Sequence, residues 1–251
     1  MNRFGWFMAL LLVAFVAGCG GGDDGGAPAG VRTCEGPDCV ALGTASNFAI
    51  LTSDGIIDNG PSVITGDVGV SGASGITNTT TCAEVTGTVF DTDAAYAGGT
   101  PCLVTDADRL SKAETDIGIA FADADARTST VPLPPAGTTD FGPGVYTFPG
   151  SIAVDTNITL TGGPTAVWIF QVPGDLTVDP AMTVTVAGGA KAKNVFWRIG
   201  GNVGLGAGAR LDGIVLASGA VIAEAGATVT GRLYSASIAT LDTTTVAHPA
   251  P

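Results

Sequence analysis

Val167-Trp-Ile-Phe-Gln-Val172, Asn194-Val-Phe-Trp-Arg-Ile199, Gly213-Ile-Val-Leu-Ala217 and Arg232-Leu-Tyr-Ser235 are four short segments of one character in the carboxy-terminal half of the chain. Each is apolar on both sides of a period-2 alternation, as in a strand covered on both faces. A second type lies between them: Asn157-Ile-Thr-Leu-Thr161, Met182-Thr-Val-Thr-Val186, Ala209-Arg-Leu-Asp-Gly213 and Ala227-Thr-Val-Thr-Gly231. In these, Ile158, Leu160, Val184, Leu211 and Val229 point one way, while Thr159, Thr161, Thr183, Thr185, Thr228 and Thr230 point the other. The third type reads Asp175-Leu-Thr-Val178, Asn202-Val-Gly-Leu205, Ala220-Val-Ile-Ala223 and Ile238-Ala-Thr-Leu241, with glycine corners between. Three strand types recurring in fixed order imply a triangular coil of stacked turns, an all-β solenoid.

The doubly apolar strands need an outer cover, and one segment can supply it. Over residues 105–127, Ala107, Leu110, Ala113, Ile117, Phe121 and Ala124 recur at steps of three and four, which predicts a single amphipathic helix. Thr105 stands where an N-cap belongs, with Asp106 and Asp108 in the first turn. Pro132, Pro134 and Pro135 end it. Its acids read as a helix start and a wet face, with calcium ligation as the rival meaning.

At the amino terminus an apolar run from Phe4 to Ala17 follows Asn2 and Arg3. It falls short of the about 20 residues that span a bilayer and reads as an export signal over residues 1–18. Val16-Ala17-Gly18-Cys19 resembles the lipobox of bacterial lipoproteins, which implies lipidation of Cys19, and Gly20, where an inner-membrane retention signal would place Asp, favours delivery to the outer membrane or cell surface. Residues 19–40 form a Gly-rich tether and leading loop, residues 41–248 the folded unit, and residues 249–251 a tail. The other cysteines are even in number, which suits disulfides in an oxidising compartment. Of the three possible pairings, Cys34 with Cys39 and Cys82 with Cys102 is preferred, because both would close loops at domain edges. A metal site is disfavoured because no Cys-x-x-Cys occurs and the single histidine, His248, sits in what reads as a loose tail.

Charged residues make up only 13% of the chain and aromatics 6%, while 38 residues are glycine. The core must therefore come from small aliphatic side chains in a backbone with many corners. A formal net charge of −13 disfavours nucleic acid and anionic membrane surfaces, leaving the lipid as the membrane contact. Nothing in the sequence asks for a cofactor.

Several stretches resemble the microbial ice-binding proteins: Leu42-Gly-Thr-Ala-Ser-Asn-Phe-Ala-Ile-Leu51, Ile64-Thr-Gly-Asp-Val-Gly-Val-Ser71, Gly144-Val-Tyr146, Val167 to Val172, Gly188 to Arg198 and Gly231-Arg-Leu-Tyr-Ser235. They occur in the family's order over about residues 41–248. The resemblance implies an irregular, right-handed β-solenoid of triangular cross-section with a helix alongside. It also implies a monomer whose partner is an ice crystal surface.

Ice contact asks for a flat, rigid, moderately apolar surface, and Thr suits it because its methyl packs flat while its hydroxyl anchors a water. Two faces are candidates. The third-type outward column, Thr177, Gly204, Ile222 and Thr240, carries no charge and is the first choice. The Thr-x-Thr face is the second, since Arg210 and Asp212 are expected to project from its middle. An enzyme is disfavoured because no Ser-His-Asp order is available. Asp175, Asp179, Arg198, Arg210 and Asp212 are the residues a polysaccharide-cleaving β-helix would have to use. The stronger rival is an adhesive or structural module that binds a glycan or protein.

Overall fold

The computed structural model describes residues 34, 36, 38–72, 77–92, 102–135 and 137–249. The expected signal segment, Cys19 and the tether up to residue 33 lie outside the described residues. From Phe48 onward the described strands build a β-solenoid and pair in parallel on three faces.

The stack is discontinuous. The chain begins in its middle, at Phe48–Thr52, and coils toward one end through Asp67–Val70 and Val89–Asp91. A helix, Ala107–Ala126, then carries it to the opposite end. From there it coils back through Gly144–Thr147, Trp168–Val172, Val195–Ile199, Arg210–Ala217 and Thr228–Ser235 until Ile50, Leu51 and Thr52 pair with Leu233, Tyr234 and Ser235. The helix has the length for this return. Its 20 residues span about 30 Å at 1.5 Å each. The six steps from Val89–Asp91 to Trp168–Val172 come to about 29 Å at about 4.8 Å per strand.

The doubly apolar strands form the face beneath the helix. In Trp168–Val172 every residue is buried, and the side chains alternate between two cores. Trp168, Phe170 and Val172 join the solenoid interior, whereas Val167 and Ile169 join a second core with Leu110, Ala113, Ala120 and Ala124 of the helix. Inside, Tyr146, Phe170 and Trp197 occupy one register position on successive strands. They stack with ring centroids 5.3 and 4.1 Å apart, an arrangement worth about 0.5–1.5 kcal/mol per pair beyond burial. Val40, Leu42 and Ala45 share the cover with the helix.

The helix is tied down at both ends. Asp106 is the N-cap: its carboxylate accepts from the Arg109 backbone N–H at 3.0 Å. This corrects the expectation of Thr105, which stays in Leu103–Thr105 and pairs with Asp91; the helix is accordingly shorter than 105–127, and Ala107 is exposed. Arg109 bonds Asp67 at 3.0 Å and lies over the Phe90 ring at 4.1 Å. At the other end the buried Gln171 donates to the carbonyls of Ala124, Asp125 and Arg127 at 2.8, 3.1 and 2.7 Å.

Disulfides join Cys34 to Cys39 and Cys82 to Cys102, with Cα atoms 5.9 and 5.6 Å apart. At the corner between the threonine face and the helix face, Gly213 (φ +131°) stacks on Gly231. A Cβ on Gly231 would stand 1.6 Å from the Gly213 carbonyl oxygen, so the corner admits nothing larger. His248 is not in a loose tail as expected. It is half-buried in mid-stack, where the start of the folded chain meets its close, its Nε2 2.8 Å from both the Ser46 carbonyl oxygen and Nη2 of the buried Arg232.

Candidate functional site

The face away from the helix is built from three- and four-residue strands. Leu176–Val178, Val203–Leu205 and Val221–Ala223 each bury their first and last side chains and turn only the middle one outward. The strand pairing lines these up as a single file: Ala153, Thr177, Gly204, Ile222, Thr240 and Ile57. The four expected residues are therefore neighbours in one register. Ala153 and Ile57 extend the file at its two ends and went unread in the sequence. Ile57 belongs to Gly55–Asp58, nearly two hundred residues before its partner Thr240, and no repeat pattern announces that pairing.

The file is uncharged, and Ile222 is 48% exposed within it. Its borders are polar but anchored. Along one corner Ser151 Oγ accepts from Asp175 N at 2.9 Å, Asp175 Oδ1 from Asn202 N at 2.7 Å, and Asn202 Oδ1 from Ala220 N at 2.9 Å. These rungs hold each corner to the next and fix the spacing of the strands they flank. Along the other, Glu224 accepts from Ala207 N at 3.1 Å. Asp58 accepts from Gly60 N and the Ser62 hydroxyl, and burial raises the pKa of its carboxyl from the ordinary value despite those bonds.

The threonine face is wider, with two outward files. One runs through Thr183, Arg210, Thr228, Thr245 and Val63. The other contains Thr159 beside Thr185 and, farther along, Asp212, Thr230, Ala247, Thr65 and Thr86. Thr161 faces Ala187. Between Thr183–Ala187 and Arg210–Ala217 the pairing stops after Val184 and Leu211. Asp212 fills the gap, accepting from Val186 N at 3.2 Å. It is 3% exposed, so the expectation that it projects is corrected: the diverging strands need an acceptor there and draw the carboxylate in. Arg210 does remain at the surface. Its side chain is 43% exposed, bonded to Asp212 at 3.0 Å and to the Thr230 hydroxyl at 3.2 Å. A guanidinium thus interrupts this face and none interrupts the narrow one.

The residues considered for polysaccharide cleavage do not converge. Arg198 lies under the helix, paired with Asp125 at 2.9 Å and stacked on Phe121. Asp175 and Asp179 flank Leu176–Val178 on the narrow face, and Arg210 and Asp212 sit on the threonine face. Among the described residues no three His, Cys, Asp or Glu side chains gather as metal ligands would.

The family model described as "Ice-binding-like" matches residues 50–247. An ice-binding protein of Flavobacterium frigoris (strain PS1) is 41% identical over 216 residues, which cover 84% of this chain and 77% of that protein. One from a Colwellia species is 38% identical over 231 residues, covering 88% of each. The crystal structure of a glycosylated ice-binding protein from an Arctic yeast superposes with a TM-score of 0.76 at 31% identity, covering 84% of this chain and 95% of that one. With a fold and a sequence alike over most of its length, this chain belongs to the ice-binding-like family.

Proposed function

We propose that this protein adsorbs to ice through the narrow face, centred on Thr177, Gly204, Ile222 and Thr240, and so inhibits recrystallisation or attaches its bearer to ice. The observation that carries the reading is the single uncharged file, held at the strand spacing of about 4.8 Å by backbone pairing and bordered by side chains bonded into the corners. Water over the file meets methyls and hydroxyls at fixed positions, and the nearest charges, the carboxylates of Asp175 and Glu224, stand at the corners and not within it. Adsorption of this kind needs neither cofactor nor bond-making, and the protein acts as a monomer without enzymatic activity.

A bulky probe separates the two faces. Thr240→Tyr on the narrow face should abolish recrystallisation inhibition while leaving circular dichroism and melting temperature nearly unchanged, as for other surface substitutions. Thr183→Tyr and Thr228→Tyr on the threonine face should leave inhibition intact. The opposite pattern would move the site to the threonine face.

The reading extends to location. Val16-Ala17-Gly18-Cys19 and the Gly-rich tether support a lipid on Cys19 that holds the domain at the outer membrane or cell surface. Cys19→Ser followed by membrane fractionation tests this, and an unaltered partition would sink it.

A further inference from the structure

Most glycines around Val203–Leu205 are there because the coil leaves no room for more. A Cβ on Gly200 would stand 2.4 Å from the Pro173 carbonyl oxygen, one on Gly201 2.1 Å from Asp175 Oδ1, and one on Gly206 2.7 Å from Pro180 N. Gly204 differs. A Cβ there would meet nothing within 4 Å, and its φ lies outside the positive range that other glycines of the chain adopt. It occupies the middle of a strand, between the buried Val203 and Leu205, where glycine weakens the strand and gives nothing back. The fold has no need of a glycine at this position.

Its place on the surface gives the residue its consequence. Gly204 pairs with Thr177 on one side and Ile222 on the other, at the centre of the outward file. Two branched side chains thus flank a position with none, and the half-exposed Ile222 presents its flank to an empty space. Every other position of the file carries a side chain. Water over Gly204 loses a methyl to lie against, and the continuous row of side chains is broken in its middle.

We infer that Gly204 is the affinity-limiting position of the narrow face, an unstrained vacancy whose filling by Thr completes the row from Thr177 to Thr240. The inference rests on the ice-contact reading above and deepens it. Thr suits the vacancy on two counts. It is β-branched, so a strand restricts it to few rotamers and the added hydroxyl is held in place. It also favours strand backbone, so the substitution does not work against the fold. One added methyl contact, at the usual transfer value of a CH2 group, corresponds to about a four-fold change in binding constant.

The experiment compares Gly204→Thr, Gly204→Ser, Gly204→Ala and Thr240→Tyr with the parent protein, measuring the concentration that halves ice recrystallisation together with the melting temperature of each. Gly204→Thr is expected to lower the half-inhibiting concentration about four-fold with a melting temperature no lower than the parent's. Gly204→Ser, which adds a hydroxyl without the methyl, should gain less. Should the Thr variant fail to fold, Gly204→Ala serves as the minimal filler and should show part of the gain. If Thr240→Tyr destroys inhibition while folded Gly204→Thr or Gly204→Ala gains nothing, the vacancy does not limit affinity and the inference is overturned, with the face still correctly assigned. If Thr240→Tyr leaves inhibition unchanged, the narrow-face reading itself fails and the role of Gly204 falls with it.

Discussion

Replacing Gln171 by Leu should loosen the helix from the coil without touching the narrow face. Gln171 is 5% exposed, and its two amide hydrogens serve three carbonyls at the helix end, those of Ala124, Asp125 and Arg127. Its own Oε1 accepts from the Thr147 hydroxyl. These carbonyls are among the last of a helix, which no residue farther along can satisfy. Leu keeps the volume but removes both donors and the acceptor. Each buried group left unpaired costs about 1–3 kcal/mol, and the better burial of Leu offsets part of it, so a net loss of roughly 2–3 kcal/mol is expected. At about 2–4 °C per kcal/mol for a chain of this size, the melting temperature should fall by roughly 4–12 °C. Gln171→Glu should lose more, since a carboxylate cannot donate and its charge opposes a helix C-terminus. Thermal and urea unfolding followed by circular dichroism measures both variants. Recrystallisation inhibition, assayed cold where both stay folded, should match the parent. A loss below about 0.5 kcal/mol for Leu, or a Glu variant as stable as the parent, would mean that water caps the helix and Gln171 does not.

Three further outcomes follow from the structure. His248 has a pKa below its ordinary value, because burial and the neighbouring Arg232 oppose the imidazolium more than the Ser46 carbonyl favours it. The unfolded chain therefore binds the proton more readily, and the stability His248 contributes is complete above pH about 6.5 and lost as pH falls toward the lower native value. His248→Gln should flatten the melting temperature between pH 7.5 and 5, and an unchanged slope would refute the assignment. Asp212→Ala should cost roughly 1–3 kcal/mol by leaving Val186 N without its acceptor, and a neutral result in urea titration would show that the strands close the gap unaided. Replacing both Cys82 and Cys102 by Ser should cost about 3 kcal/mol, since their bond closes a loop across a sequence separation of 20; non-reducing peptide maps showing Cys39 linked to Cys82 would contradict the pairing.

The period-2 alternation in the sequence determined which way side chains point, and hence the three faces, the apolar strands that need a cover and the outward residues Thr177, Gly204, Ile222 and Thr240. The spacing of Leu110, Ala113, Ile117, Phe121 and Ala124 determined the helix that covers them. Both are local signals, because a strand or helix places a residue by its distance from the next one along the chain. Alternation says nothing of which strand lies beside which. The tertiary structure alone decided that the chain starts mid-stack, that Ile57 stands next to Thr240 across the seam, and that His248 and Arg232 meet at Ser46. It also decided that Thr105 stays with Asp91 and leaves the cap to Asp106, and that Asp212 turns inward where two strands part. In each case the outcome depends on a backbone group supplied by a part of the chain well removed in sequence, and no pattern within a few residues records where that group is.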